Sequence, residues 1–210
     1  MSSDAGIPGR SRRKDPGERA IEIAAAAREI ALDDGLYGIT LRAVAARVGV
    51  TSGLVSHYQP NMDVLVADTF GEIVAAEIGD VAAELAPSVT SVDAIRGLVN
   101  TLLGPERTGV TVVWLDAWSL GRRNPALAAE VGRQMDAWQA FVAGLLNEGC
   151  ARGEFTASDP DTVAWQLLGI IDGLNAHATV RYGDARTLRG LVRTVTEHEL
   201  GLVPGALDPL

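Results

Sequence analysis

Apolar residues recur every three to four positions along almost the whole chain, and no segment alternates apolar with polar residues as a half-buried strand does. That period predicts an all-α fold, and the punctuation divides it into nine helices. The first runs from about Asp15 to Asp34 and is stopped by Gly35, in the manner of a left-handed C-terminal glycine. Thr40 caps a short helix, Leu41 to Val48, which Gly49 ends; Thr51 caps another, Ser52 to Tyr58, which Pro60 terminates. Asn61 caps a long helix to about Leu85, closed by Pro87. Further helices are expected over Ser91 to Leu103, Glu106 to Arg122 and Pro125 to about Arg152. Asp159-Pro160 places a cap before a first-turn proline and opens a helix to about Arg181; Asp184 opens the last, to about Leu200. The Gly- and Pro-rich remainder reads as a frayed tail.

Composition narrows the class. The chain has 210 residues, 47% of them apolar, which suffices for a core. A single cysteine forms no internal disulfide framework and points to a reducing compartment. The longest uncharged, mostly apolar run, Ala137 to Asn147, is too short to cross a bilayer. The polar, basic start is not a secretory signal, so no membrane partner and a cytoplasmic location are expected. The net charge of −9 argues against nucleic acid until it is divided. Residues 1–63 hold eight basic and eight acidic groups, so the whole excess lies in residues 64–210. Arg10, Arg12, Arg13 and Lys14 cluster beside Gly6, Pro8 and Gly9, which reads either as a basic arm for DNA or as a solvated tail.

The informative segment is Thr40 to Leu65, in which two short helices meet at Gly49. Leu41, Val44, Ala45 and Val48 give the first an apolar face; Val50 fills the turn; Leu54 and Val55 anchor the second. Small Ala45 and Gly53 are expected to allow close helix approach. This is the pattern of a helix-turn-helix, whose second helix enters the major groove. Thr51, Ser52 and Gly53 offer hydroxyls and backbone amides at a helix start, Ser56 and His57 lie outward, and Tyr58 can donate to a phosphate. Taken alone, the pattern is shared with ordinary pairs of short surface helices.

Residues 15–65 resemble the N-terminal domain of the TetR family of transcriptional regulators. The matching residues are Ala24 to Leu32, Gly35, Thr40, Ala45, Gly49, Val50, Gly53, His57-Tyr58, Asp63 and Leu65. Leu54 to Tyr58 is similar to the choline- and betaine-responsive branch. Two departures matter: Gln59 stands where that family usually has an aromatic, and Met62 where it has a phosphate-contacting lysine. Ser56 replaces an arginine of the related branch. Each lost phosphate contact makes the salt dependence shallower by about one unit of slope.

The resemblance implies a basic arm over 1–14, a DNA-binding unit over 15–62, a ligand-binding and dimerising domain over 63–202, and a tail over 203–210. It implies a homodimer on a palindromic double-stranded operator, released by a small-molecule effector. Candidate DNA contacts are Arg12, Arg13, Lys14, Thr40, Arg42, Thr51, Ser52, Gly53, Ser56, His57 and Tyr58. The last two helices resemble the family's dimer helices, with Leu167, Ile171 and Leu174 on one and Leu188, Leu191 and Val195 on the other as candidate contacts. The alternative for each is internal core.

The pocket is less legible. Trp114, Trp118, Trp138 and Trp165 are the four tryptophans, and indole faces attract quaternary ammonium ions. The plainer reading of each is core filling among small residues. The pocket candidates are Trp114, Trp118 and Trp138, without Trp165, together with Met135, Gln166, Asp172 and Asn175, which are polar or polarisable groups on apolar helices. No nucleophile elbow, phosphate loop or paired metal-ligand motif is present, so no catalytic residue, metal or cofactor is expected. A helical interaction protein with a degenerate helix-turn-helix is the alternative to a regulator.

Overall fold

The computed structural model describes residues 15–208, which are helical with no strand. Arg12, Arg13 and Lys14 lie outside the described residues. The elements are α1 (Pro16–Asp34), a 3-10 turn (Leu36–Gly38), α2 (Leu41–Val48), α3 (Ser52–Tyr58), α4 (Met62–Leu85), α5 (Ser91–Leu102), a second 3-10 turn (Pro105–Arg107), α6 (Thr108–Gly121), α7 (Pro125–Ala151), α8 (Pro160–Thr179) and α9 (Ala185–Glu199).

Local chemistry sets most starts. Asp15 accepts the Gly17 N–H at 2.7 Å while Glu18 reaches back to the Asp15 N–H, a reciprocal capping box ahead of Pro16. Thr40, Thr51, Asn61, Asp159 and Asp184 each accept an amide of their helix's first turn, as their sequence positions predict. Asn124 does the same for α7, and its amide also donates to the Asp63 carbonyl at 3.0 Å, pinning α7 to the first turn of α4. One start differs: the helix expected from Glu106 begins only at Thr108. Residues 105–107 tighten into the 3-10 turn instead, with the Thr108 hydroxyl donating back to the Pro105 carbonyl at 2.7 Å.

Helix α4 is the spine, burying Phe70, Ile73, Val74 and Val81, and it packs mainly along α7. The core continues from Ile23 of α1 to Leu207. That continuity corrects the tail reading. Leu207 is fully buried, and the buried Glu197 carboxylate accepts both the Gly205 and Leu207 N–H groups. The Arg96 guanidinium donates to the Ala206 carbonyl at 2.7 Å, so residues 203–208 are docked rather than frayed.

Two dimer candidates are also corrected. Leu167 and Ile171 are each only 3% exposed, because they lie on the side of α8 turned into its own chain. Leu174 and Leu188 are half-buried, while Leu191 and Val195 remain exposed on α9.

Candidate nucleic-acid interface and ligand cavity

Helices α2 and α3 join through Gly49, which is left-handed at φ 74° and ψ 36°. The Val50 N–H returns to the Ala45 carbonyl at 2.9 Å, and Val44, Ala45 and Val55 are buried between the helices. Thr40, Arg42, Thr51, Gly53, Ser56 and His57 are exposed, and Ser52 is half-buried. Tyr58 is also half-buried, with its ring edge-on to His57 at 5.2 Å. Arg47 does not join this surface; it bridges Glu29 and Asp33 of α1. Gly53 corrects an expectation: a Cβ there would meet nothing within 4 Å, so it creates no close approach inside the chain. An exposed helical glycine weakens a helix by about 1 kcal/mol relative to alanine, and here it leaves the surface bare to an outside partner.

Behind this unit lies a cavity of about 160 Å³ between α4, α5, α6, α7 and α8. Helix α6 contributes Trp114 and Trp118, one turn apart; α7 contributes Met135 and Trp138; α8 contributes Trp165, Asp172 and Asn175. All four tryptophans line this cavity, and Trp138, only 5% exposed, belongs to the hydrophobic core as well. Trp114 and Trp118 stand 5.5 Å apart, and Trp114 is braced edge-on by the buried Phe70 at 5.0 Å. Gln166 does not line the cavity and is exposed, because one helical step carries it about 100° round from Trp165.

Two charged groups of the wall escaped the sequence reading. Glu77 of α4 is 7% exposed and pairs with Arg107 at 3.5 Å, and it accepts a long hydrogen bond from the Trp114 indole N–H at 3.4 Å. Burial raises its carboxyl above the ordinary range, against the opposing pull of Arg107. Its one signal in the sequence is a carboxylate set within the apolar stripe Ile73, Val74, Val81. Asp172 has no hydrogen bond or ion pair among the described residues, and burial pushes its carboxyl up to about 6. Asn175 is already engaged, donating to the Leu102 carbonyl at 3.0 Å.

Helix α6 links the two regions. Between the cavity tryptophans, Asp116 points the other way and accepts the Leu36 N–H at 2.8 Å, in the turn that leads into α2. Ser119 and Tyr37 share a hydroxyl hydrogen bond at 2.9 Å.

Residues 91–201, more than half of the chain, match the model of the BetI-type transcriptional repressor C-terminal domain, and residues 23–69 match that of the bacterial regulatory proteins of the tetR family. The chain belongs to the TetR family. Members of this family are DNA-binding regulators and not enzymes. A transcriptional regulator from Saccharomonospora viridis, solved in complex with choline, superimposes with a TM-score of 0.76 at 21% identity, over 88% of this chain and 98% of that one. A TetR-family regulator from Rhodococcus sp. gives a TM-score of 0.73 at 18% identity over 88% and 99%. A TetR regulator from Haloarcula marismortui gives 0.69 at 21% over 88% and 97%. No curated protein matches the chain. Among the described residues of this TetR-family chain, no group of side chains could hold a metal ion, and no helix is long and apolar enough to cross a membrane.

Proposed function

We propose that this chain is a ligand-responsive repressor, a cytoplasmic homodimer on a palindromic operator that is released by a small organic monocation of the choline type. The observation that carries the effector class is the cavity wall: four indoles and the half-buried Asp172 carboxylate, which has no partner among the described residues. Each cation–π contact contributes about 0.5–2 kcal/mol, more when desolvated. Charge selects further. Arg107 offsets Glu77, so the ionised Asp172 leaves one negative charge, which a monocation neutralises and a zwitterion does not. The choline bound by the Saccharomonospora viridis regulator is of this class.

Release follows from linkage. Whatever a ligand does to operator affinity, DNA does to ligand affinity by the same factor. Helix α6 bears the cavity on one face and the Leu36 tether on the other, and α4 continues directly from the helix-turn-helix. Occupancy that shifts either helix changes the separation of the two recognition helices, which must match half-sites about 34 Å apart or a multiple of it.

A gel shift with promoter DNA from the gene's own neighbourhood, at two salt concentrations and with and without choline chloride, tests this. A specific, salt-sensitive complex that choline dissolves supports the whole reading. Absence of any specific complex favours the degenerate interaction module, and a complex indifferent to choline rejects the effector class. Deleting residues 1–14 lowers operator affinity and flattens its salt dependence; an unchanged slope makes the arm passive.

Two substitutions address α3. Ser56→Glu adds a carboxylate to its exposed face and weakens operator binding about tenfold, through repulsion from phosphate, with an unchanged melting temperature. Thr51→Ala mixes two effects. Its hydroxyl caps α3 through the Leu54 N–H, so the variant also loses about 1 kcal/mol of stability. Denaturant melts alongside the gel shift separate the two.

A further inference from the structure

Residues 64–210 carry the whole acidic excess, and most of their cations are already matched. Arg96, Arg107, Arg133, Arg152 and Arg193 each bridge a carboxylate. Arg122 and Arg123 differ: both are exposed, and among the described residues neither pairs with a carboxylate. They occupy the turn between α6 and α7, which is fastened on both sides to the edge of the helix-turn-helix. Before the turn, the Ser119 and Tyr37 hydroxyls share their hydrogen bond at 2.9 Å, just ahead of the Thr40 cap of α2. After it, the Asn124 amide donates to the Asp63 carbonyl at 3.0 Å, in the first turn of α4. The Leu120 carbonyl accepts the Arg123 and Asn124 N–H groups at 2.9 and 3.1 Å, so the turn is tight and its place is set.

We propose that Arg122 and Arg123 contact the phosphate backbone of bound duplex DNA, so that the effector-binding domain itself touches the operator. The proposal rests on reading α2 and α3 as the DNA-binding element and not on the effector class. The two arginines stand between the start of α2 and the start of α4, and those starts flank α3 in the chain. Helix starts present free amides that suit phosphate, so the arginines extend an edge already fitted to it. A guanidinium stays charged and meets two phosphate oxygens with parallel N–H groups. Two adjacent guanidiniums also repel each other, and a phosphate relieves that repulsion. The carboxylate on this edge, Asp63, is exposed at the start of α4 and bridges neither arginine. The negative end of α6 favours a cation nearby, but its Leu120 carbonyl already accepts two amides, which leaves the pair of side chains free for a partner. Arg122 follows Trp118 by one turn, so a shift of α6 at the cavity also moves a DNA contact.

The test compares the full-length wild type with two double variants, Arg122→Ala/Arg123→Ala and Arg122→Lys/Arg123→Lys. Binding to promoter DNA from the gene's own neighbourhood and to an unrelated duplex is titrated across a salt series, with thermal melts of all three proteins. The alanine pair is expected to bind promoter DNA about tenfold more weakly, with a salt slope shallower by about two units per chain and an unchanged melting temperature. The lysine pair, which keeps both charges, recovers the slope. An alanine pair with wild-type affinity and slope overturns the contact, and so does weaker binding at an unchanged slope. Equal losses in the alanine and lysine pairs also overturn it, because they assign the arginines to the shape of the turn. A wild type that binds both duplexes alike, with the slope still flattened in the alanine pair, upholds the contact and rejects the operator reading. A wild type that binds neither duplex at low salt overturns both.

Discussion

Asp172→Asn lowers affinity for choline by about thirtyfold or more and at the same time makes the ligand-free protein more stable at neutral pH. The first effect follows from losing one charge beside a desolvated cation. At an effective dielectric of about 20, such a pair a few ångströms apart is worth roughly 2–4 kcal/mol, and about thirtyfold corresponds to the lower end. The second follows from the empty cavity. Burial holds the Asp172 carboxyl at about 6, against 3.8 for a free aspartate, with no hydrogen bond to compensate. Between those values the folded state binds more protons than the unfolded one, so stability falls as pH rises and levels off above 6. The ionised form then weighs against the fold by on the order of 3 kcal/mol, which asparagine removes. The other charges at this wall, Glu77 on α4 and Arg107 before α6, already offset each other, so Asp172 dominates the change. Binding by the wild type accordingly weakens as pH drops through 6, where the carboxylate takes a proton instead of the ligand. Calorimetric titration at pH 5 and 7.5, with thermal melts of both proteins, checks all of this. A variant that binds choline as tightly as the wild type removes Asp172 from the site.

A carboxylate that destabilises the empty protein is the sort of residue local sequence rules do not place. The helix starts were readable because each depends on a few neighbours: Thr40, Thr51 and Asn61 cap amides two or three residues on. The cavity is different. Its tryptophans come from three helices, and only the pair Trp114 and Trp118 is related by helical spacing. Gln166 matched the same criterion as Asp172, a polar group on an apolar helix, and one faces solvent while the other faces indoles. Arg107 was hidden because the Pro105–Arg107 turn, not a continuous helix, aims it at Glu77. Leu207 looked like tail because its burial depends on Glu197, ten residues earlier, gathering the backbone amides around it. In each case the deciding partner lies beyond the range of local pattern.

Gly35 joins both kinds of reading, and Gly35→Ala is expected to cost about 3 kcal/mol or more. Its local role as a helix stop was legible, but its conformation, φ 79° and ψ 174°, is more restrictive than the left-handed one and essentially closed to other residues. Occupying it with alanine adds roughly 1–3 kcal/mol of backbone strain. The tertiary reason is separate. A Cβ there would stand 2.3 Å from the Asp116 carboxylate, so that group must swing away and abandon the Leu36 N–H it accepts at 2.8 Å. Leu36 is buried, and an orphaned buried amide costs about 1–3 kcal/mol more. Urea denaturation measures the sum, and a double-mutant cycle separates its parts. Asp116→Ala alone loses the tether without the backbone strain. Adding Gly35→Ala to it then costs only the strain, so the two changes together fall short of their separate sum. Additive behaviour would mean that the carboxylate and the glycine do not meet. The tether also joins α6 to the turn before α2, so both single variants retain choline binding at the cavity while the choline-induced loss of operator affinity shrinks; release undiminished in Asp116→Ala would assign the coupling to α4 alone.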